Sequence, residues 1–337
     1  CIQMIKKRLT KKLFMLKKLI VDITRGDNFY LISKEIHENK LGKYYLIFDE
    51  KSVRGGKDQA LITSFDKDGI PLNNTYIDVE SDKLVYFPIS IGQLGLAVFH
   101  TFLKTKSKND FDRFIRFVDW FKNNATLDKE TGARWLTDVP LPAYNNSGPW
   151  QSAFAQSRAI SILLRGFQIT NNQKYKDLAD EALKSFLIPV SRGGVTSFTD
   201  WGPFYEEYTS TFPILVFNGH IFSLLGLYDF IRVDKKNEIA REVFESGMAT
   251  LINALPAFDL GYWTRYNYCQ QSSYPLIDPA TLSYQRLHVM LLKIINLIRP
   301  NKLIENTIKH WTSQIGVYNF FKAAKIKYSA LKKLNRV

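Results

Sequence analysis

The sequence predicts an α+β protein that is mainly helical, with a small N-terminal β-rich domain followed by an (α/α) barrel or toroid. Three observations carry that expectation. Before residue 92 the chain runs in short β-branched and aromatic stretches separated by turn-formers. After it, apolar residues recur at i, i+3, i+4 and i+7 through one long segment after another. The length of 337 residues and a hydrophobic share of 45% supply enough apolar surface for a substantial core.

The elements follow in order. Residues 1–25 form a basic N-terminal segment in which Leu9, Leu13, Leu16 and Ile20 are spaced for one helical face, with lysines on the other. Lys17 and Lys18 interrupt the apolar run that a signal peptide needs, so no secretion signal is expected. Residues 26–92 read as the β-rich domain, through Tyr44–Glu50, Gln59–Phe65 and Lys83–Ile91. Asp66-Lys67-Asp68-Gly69 between two of these runs has the start of a calcium loop but lacks the acidic ligand later in it, so it reads as a hairpin turn. Residues 93–318 carry the helical hairpins of the toroid. The intervening loops hold unusual polar-aromatic runs, and such loops gather at one rim of a ring of hairpins. Residues 319–337 read as a basic C-terminal tail.

Charge and composition exclude several functions. The two ends, residues 1–18 and 319–337, hold 13 of the basic residues and no acid, so the formal charge of +14 leaves a nearly neutral body. That pattern argues against a nucleic-acid groove and for loose attraction of an acidic polysaccharide, or of anionic lipid through residues 1–20. A second copy of the chain is a further candidate partner. No apolar run reaches the ~20 residues of a membrane span, which points to a cytoplasmic protein or one on the inner face of a membrane. Two cysteines make no disulfide framework, and the five scattered histidines form no zinc motif. No P-loop, Rossmann fingerprint or serine-histidine-acid order is present, so neither a metal nor a cofactor is expected.

What remains is concentrated in three places. Trp201–Thr211 holds Glu206 and Glu207 between Tyr205 and Tyr208. Tyr262–Tyr268 holds three tyrosines and Arg265. Tyr284 and His288 lie one turn apart at the head of a helix. Tyrosine, glutamate, arginine and histidine form a set suited to proton transfer at a carbon acid beside a carboxylate.

The runs Tyr86–Phe99, Gly148–Arg165, Phe204–Asp229, Gly247–Tyr268 and Tyr284–Leu292 resemble, in order and wording, the D-glucuronyl C5-epimerases of heparan sulfate biosynthesis and their bacterial relatives. The resemblance covers most of residues 85–295. It implies a small β-domain before an α/α barrel, with a uronate site in the cleft between them. It also implies catalytic roles for Tyr208, Tyr266 and Tyr284, with Glu207 and His288 beside them. Two departures stand out. Gln285 occupies the first histidine position of a Y-H-x-x-H motif, and Cys269 replaces an arginine of the animal enzymes. Arg265 or Arg286 are the substitutes the sequence offers. Gln93, Gln156, Arg158 and Asn218 are polar residues inside apolar runs of the resembling segments and are expected to help line the cleft. Arg158 is expected to grip the polymer's carboxylate through two parallel hydrogen bonds.

The implied reaction inverts C5 of a D-glucuronate residue to give L-iduronate. It needs no cofactor, because no redox step occurs. A polysaccharide lyase on the same scaffold would share the first step, and a non-catalytic glycan-binding protein would use the aromatics for stacking alone.

Overall fold

The computed structural model describes residues 17, 20, 23, 24, 31–54, 62–76, 78, 79, 81 and 83–337. The basic segment expected over residues 1–25 therefore lies outside the described residues, apart from four helical positions.

The region expected as a β-rich domain contains two short ladders. Strand β1 (Leu31–Ile32) pairs antiparallel with β2 (Leu46–Ile47), followed by a single helical turn and a half, α1 (Glu50–Arg54). Strands β3 (Ile62–Phe65) and β4 (Pro71–Asn73) form the hairpin read from the DKDG turn. There the Asp66 carboxylate accepts from the amides of Asp68 and Ile70, both at 2.9 Å. Strands of two to four residues cannot enclose a core of their own. Tyr44, Tyr45, Leu46, Ile62 and Ile70 instead join the same buried cluster as the helices. The Arg232 guanidinium donates to the carbonyls of Glu35 and Glu38, tying this region to the helical body.

Helices account for the rest. The first, α2 (Pro88–Thr105), starts five residues ahead of the expected boundary at 93. Pro88 at its first turn has its φ already set for a helix and no amide donor to satisfy. Then come α3 (Lys108–Asn123), α4 (Ala153–Thr170), α5 (Gln173–Leu183), α6 (Phe217–Val233), α7 (Glu238–Phe258), α8 (Leu282–Ile298) and α9 (Lys302–Ser313). Polar side chains begin most of them: Ser107, Ser152, Asn237 and Thr281 each accept from an amide of the first turn. Consecutive helices pair as α2–α3, α4–α5, α6–α7 and α8–α9, and α2, α4, α6 and α8 also pack side by side in that order. These four helices form an inner row and their partners an outer one, the arrangement of an α/α toroid. Residue patterning fits the two rows. From Phe217 to Leu227, α6 is buried on every side, whereas α3 buries only one face.

This topology places the functional loops. Inner helices run parallel to one another, so every connection from an outer helix to the next inner one emerges at the same rim. The α3–α4 connection carries the ladder of β5 (Thr126–Asp128) and β6 (Gly132–Arg134). The α5–α6 connection carries β7 (Thr196–Thr199) paired with β8 (Gly202–Tyr205). The α7–α8 connection is residues 259–281. No helix among the described residues is long and apolar enough to cross a membrane.

The expected basic tail is a helix, α10 (Val317–Lys333), which buries Ala323 and Ala330 against the body. Its alanines allow close approach while its lysines remain at the edges.

Helices α4 and α6 are in the closest contact. A Cβ on Gly226 would sit 2.5 Å from the Ser157 Cβ and 2.6 Å from its Cα and carbonyl oxygen. Nearby, the fully buried Asp229 carboxylate bridges the two helices to the N-terminal region. It accepts from Arg165 at 2.6 Å and from the Tyr45 hydroxyl at 2.9 Å. Gly226→Ala is expected to push α6 from α4 and cost about 1–3 kcal/mol of stability, read as a lower urea-unfolding midpoint. An unchanged midpoint would show that the helices separate without strain.

Candidate active site

Tyr208 follows β8 by three residues, at a bend of the chain that begins after Glu206. Glu206 turns inward and organises the loop. Its carboxylate accepts from the Ser197 hydroxyl at 2.6 Å and from the amides of Ile214 and Leu215 at 3.0 and 2.9 Å. Its backbone carbonyl accepts from the Ala153 amide at 2.8 Å, at the start of α4. Leu215, held by that carboxylate, adopts a left-handed φ of 56°. For a residue with a branched side chain that costs roughly 1–2 kcal/mol, so the anchoring bonds are what sustain it.

Glu207 turns the other way. It packs onto Gly219 of α6, where an added Cβ would meet the Glu207 Oε2 at 2.7 Å, so no larger residue fits there. Asn218 donates to the same oxygen at 3.0 Å. Burial pushes the Glu207 carboxyl up to about 7, against the opposing pull of its donors.

The loop carrying Tyr266 is fixed to the same place. Phe217 donates its amide to the Tyr266 carbonyl at 3.1 Å, and the Tyr268 amide donates to Leu215 at 3.2 Å. Gln285 of α8 accepts from the Thr264 amide at 2.9 Å and hydroxyl at 2.7 Å. That is a structural duty for the position at which the resemblance led to a histidine.

The three tyrosines meet at this rim. The Tyr208 hydroxyl lies within side-chain hydrogen-bonding reach of Glu207, Tyr266 and Tyr76. Tyr266 and Tyr284 contact edge-to-face, with ring centroids 5.4 Å apart. Tyr144 stacks on Tyr208 at 5.5 Å, and Trp150 meets it edge-on at 5.2 Å. Burial, and after it the Glu207 carboxylate, hold the hydroxyls of Tyr208 and Tyr266 well above the ordinary tyrosine value. Several buried polar atoms on the same segments have no partner among the described residues: the Gln151 amide, Asn218 Oδ1 and the Asn267 amide. Such groups ordinarily find partners, and their clustering here fits a site for a polar ligand.

The other expected site residues divide. His288 is fully buried, with Nδ1 2.9 Å from the Thr264 hydroxyl, and burial lowers it to about 3, so it is neutral. Gln93 is half-buried near the start of α2. Arg265 donates to the Leu276 carbonyl at 2.9 Å and lies 5.3 Å from the Tyr268 ring centroid. Arg158 and Gln156 are not brought to the tyrosines. Arg158 is 0% exposed and surrounded by the rings of Tyr44, Phe48, Phe154 and Phe222, with centroids 4.7–5.5 Å from its guanidinium carbon. The grip on a substrate carboxylate expected of Arg158 is not supported, because its guanidinium is closed off from solvent. Gln156 donates to the carbonyls of Ala133 and Ala182 and to the Ser185 hydroxyl, joining α4 to the β6 and α5 segments. Tyr76, Tyr144 and Trp150 are the neighbours that sequence reasoning missed as site residues. Tyr76 and Tyr144 are single aromatics in irregular stretches, and Trp150 lies in the resembling run Gly148–Arg165 without having been assigned a role there.

A family model described as the D-glucuronyl C5-epimerase C-terminus matches residues 129–313. The chain belongs to this D-glucuronyl C5-epimerase C-terminus family. The matched span includes all three tyrosine-bearing segments. The chain is 35% identical over 187 residues to the D-glucuronyl C5-epimerase of Caenorhabditis elegans, covering 52% of this chain and 30% of that protein. It is 25% identical over 197 residues to an uncharacterised protein of Methanocaldococcus jannaschii, covering 53% of this chain and 64% of that one. It thus spans less than two thirds of either relative. The cellobiose 2-epimerase of Spirochaeta thermophila overlays with a TM-score of 0.49 and 12% identity, covering 84% of this chain and 63% of that one.

A raised carboxyl has a defined effect on stability. Glu207 folds most favourably when protonated, so its contribution is full below about 4.5 and is lost as pH rises through about 7. Glu207→Gln removes that loss. The variant is expected to gain stability relative to the parent between pH 4.5 and 7 by on the order of 2 kcal/mol, in urea unfolding at pH 4.5 and 8. A difference independent of pH would mean that burial does not raise the Glu207 carboxyl above its unfolded value.

Proposed function

We propose that this protein inverts C5 of D-glucuronate residues in an acidic polysaccharide, giving L-iduronate, by proton transfer between tyrosines and the sugar. The observation that carries the reading is the convergence of Tyr208, Tyr266 and Tyr284 from three separate segments onto one rim, beside a buried carboxyl. The name of the Caenorhabditis elegans relative supports the same reaction.

The chemistry suits these groups. The C5 proton of a hexuronate is weakly acidic because the adjacent carboxylate resists further negative charge. Donors aimed at that carboxylate stabilise the enolate-like intermediate. A phenolate on one face of the sugar removes the proton, and a phenol on the other face returns one, so the configuration inverts. Glu207, within hydrogen-bonding reach of Tyr208 and poised near neutrality, exchanges protons with that hydroxyl and resets it between turnovers. Nothing is oxidised or reduced, and the steps require only protons.

The test is incorporation of solvent deuterium at C5 of heparosan, a glucuronate polymer. Tyr208→Phe keeps the ring and its stacking on Tyr144 but deletes the ionisable hydroxyl. It is expected to slow exchange by about 10²–10⁴-fold with little change in unfolding midpoint. Near-parental exchange by the folded variant would remove Tyr208 from the reaction. Appearance of an unsaturated, ultraviolet-absorbing uronate would assign a lyase instead, and neither exchange nor cleavage would leave a glycan-binding protein.

A further inference from the structure

The basic C-terminal region contributes to the tyrosine site. The Lys327 Nζ of α10 stands 5.1 Å from the centroid of the Tyr266 ring. It is held by Asp278 Oδ1 at 2.6 Å, and the Lys327 side chain is only 16% exposed. Asp278 connects the two residues. Its backbone carbonyl accepts from the Tyr266 amide at 2.8 Å, and its other carboxylate oxygen accepts from the Tyr274 hydroxyl at 2.8 Å. Tyr274 stacks on Tyr144 at 5.5 Å, and Tyr144 stacks on Tyr208. At the helix end Lys333 donates to the carbonyls of Ser272 and Tyr274, and beyond it Leu334 packs into the aromatic cluster and Arg336 pairs with Asp78 at 3.0 Å. Arg336 also lies within electrostatic range of Tyr76 and Tyr144.

We propose that α10 is a working part of the tyrosine site, in which Lys327 is a positioning residue that fixes the Tyr266 ring and favours its phenolate, making Tyr266 the base. The proposal rests on the tyrosine reading of the preceding section and assigns a direction to it. A buried phenol between other phenols and a carboxyl resists ionisation, so a base here needs a cation in fixed contact. The groups facing Tyr266 are Glu207 and Tyr208 from the α5–α6 connection, Tyr144 from the α3–α4 connection, Tyr284 from α8, Asp278 from its own loop, and Lys327 from α10. Lys327 is the cation that contacts the Tyr266 ring among the described residues. A charge over an aromatic face is attracted to the neutral ring and more strongly to its anion, and poor access of water limits screening.

The test uses the full chain labelled with ζ-carbon-13 tyrosine, with Tyr266→Phe to assign the signal, titrated by NMR up to the onset of alkaline unfolding. Lys327→Met is expected to raise the Tyr266 midpoint by about one to two pH units, and Lys327→Arg to restore it. Asp278→Asn, which keeps an acceptor for Tyr274, removes the competing anion and is expected to lower the midpoint. These opposite signs separate electrostatics from a structural bridge, whose loss would disturb both variants alike. Equal midpoints, a midpoint for Asp278→Asn at or above that of Lys327→Met, or no ionisation in any variant would overturn the proposal. C5 exchange on heparosan should follow the same order, with Lys327→Met slower by about 10–100-fold. If the NMR order holds while no variant or parent exchanges hydrogen, the epimerase reading fails and the electrostatic assignment stands.

Discussion

The contact between α4 and α6 is the constraint on which the site depends. At Gly226 the backbones come so near that no side chain fits, and the Asp229 pair with Arg165 lies in the same interface. The N-terminal ends of these two helices are therefore fixed relative to each other. Both ends are where the functional loops attach: Glu206 joins Ala153 of α4, while Leu215, just before α6, and Phe217, its first residue, hold Tyr268 and Tyr266. Backbone hydrogen bonds transmit the helix spacing directly to the phenols. Close packing thus acts as a positioning device, since interiors at this density do not deform by small amounts.

Adjacent glutamates at the bend after β8 take different duties. Glu206 satisfies three donors and holds a strained backbone turn, and Glu207 faces the phenols. Burial raises both carboxyls to about 7. The same desolvation that keeps Tyr208 and Tyr266 protonated makes any charge placed beside them effective. The cationic residues of α10 stand at the edge of this low-dielectric cluster, where their charge is least diluted by water.

The resemblance and the fold illuminate different parts of the molecule. Tyr208, Tyr266 and Tyr284 were legible because each sits in a distinctive local run. Tyr76, Tyr144 and Tyr274 were not, since a lone aromatic in an irregular stretch carries no signal until its neighbours are known. Arg158 failed for the same reason in reverse. Its residue type suggested a grip on a carboxylate, but the four rings around it come from positions 44, 48, 154 and 222. The toroid's consecutive hairpins, by contrast, were visible in the helical period of α3, α4, α6 and α8, because burial of one face or of all faces leaves a repeat in the residues themselves.

Local pattern alone therefore determined the helical class and the hairpin at Asp66–Gly69, which depend on residues close in sequence, while the family resemblance singled out the three candidate phenols. Tertiary structure decided that the short N-terminal strands share the helical core, since strands of that length cannot build one. It also decided the place of residues 319–337. As sequence they are a basic tail, with lysines free to attract a distant polyanion. As a packed helix, α10 directs Lys327 to the Tyr266 ring and Arg336 follows it to Asp78, contacts that join residues 61 and 258 positions apart. No local spacing encodes such pairings, because what selects them is the shape of the surface onto which the helix docks.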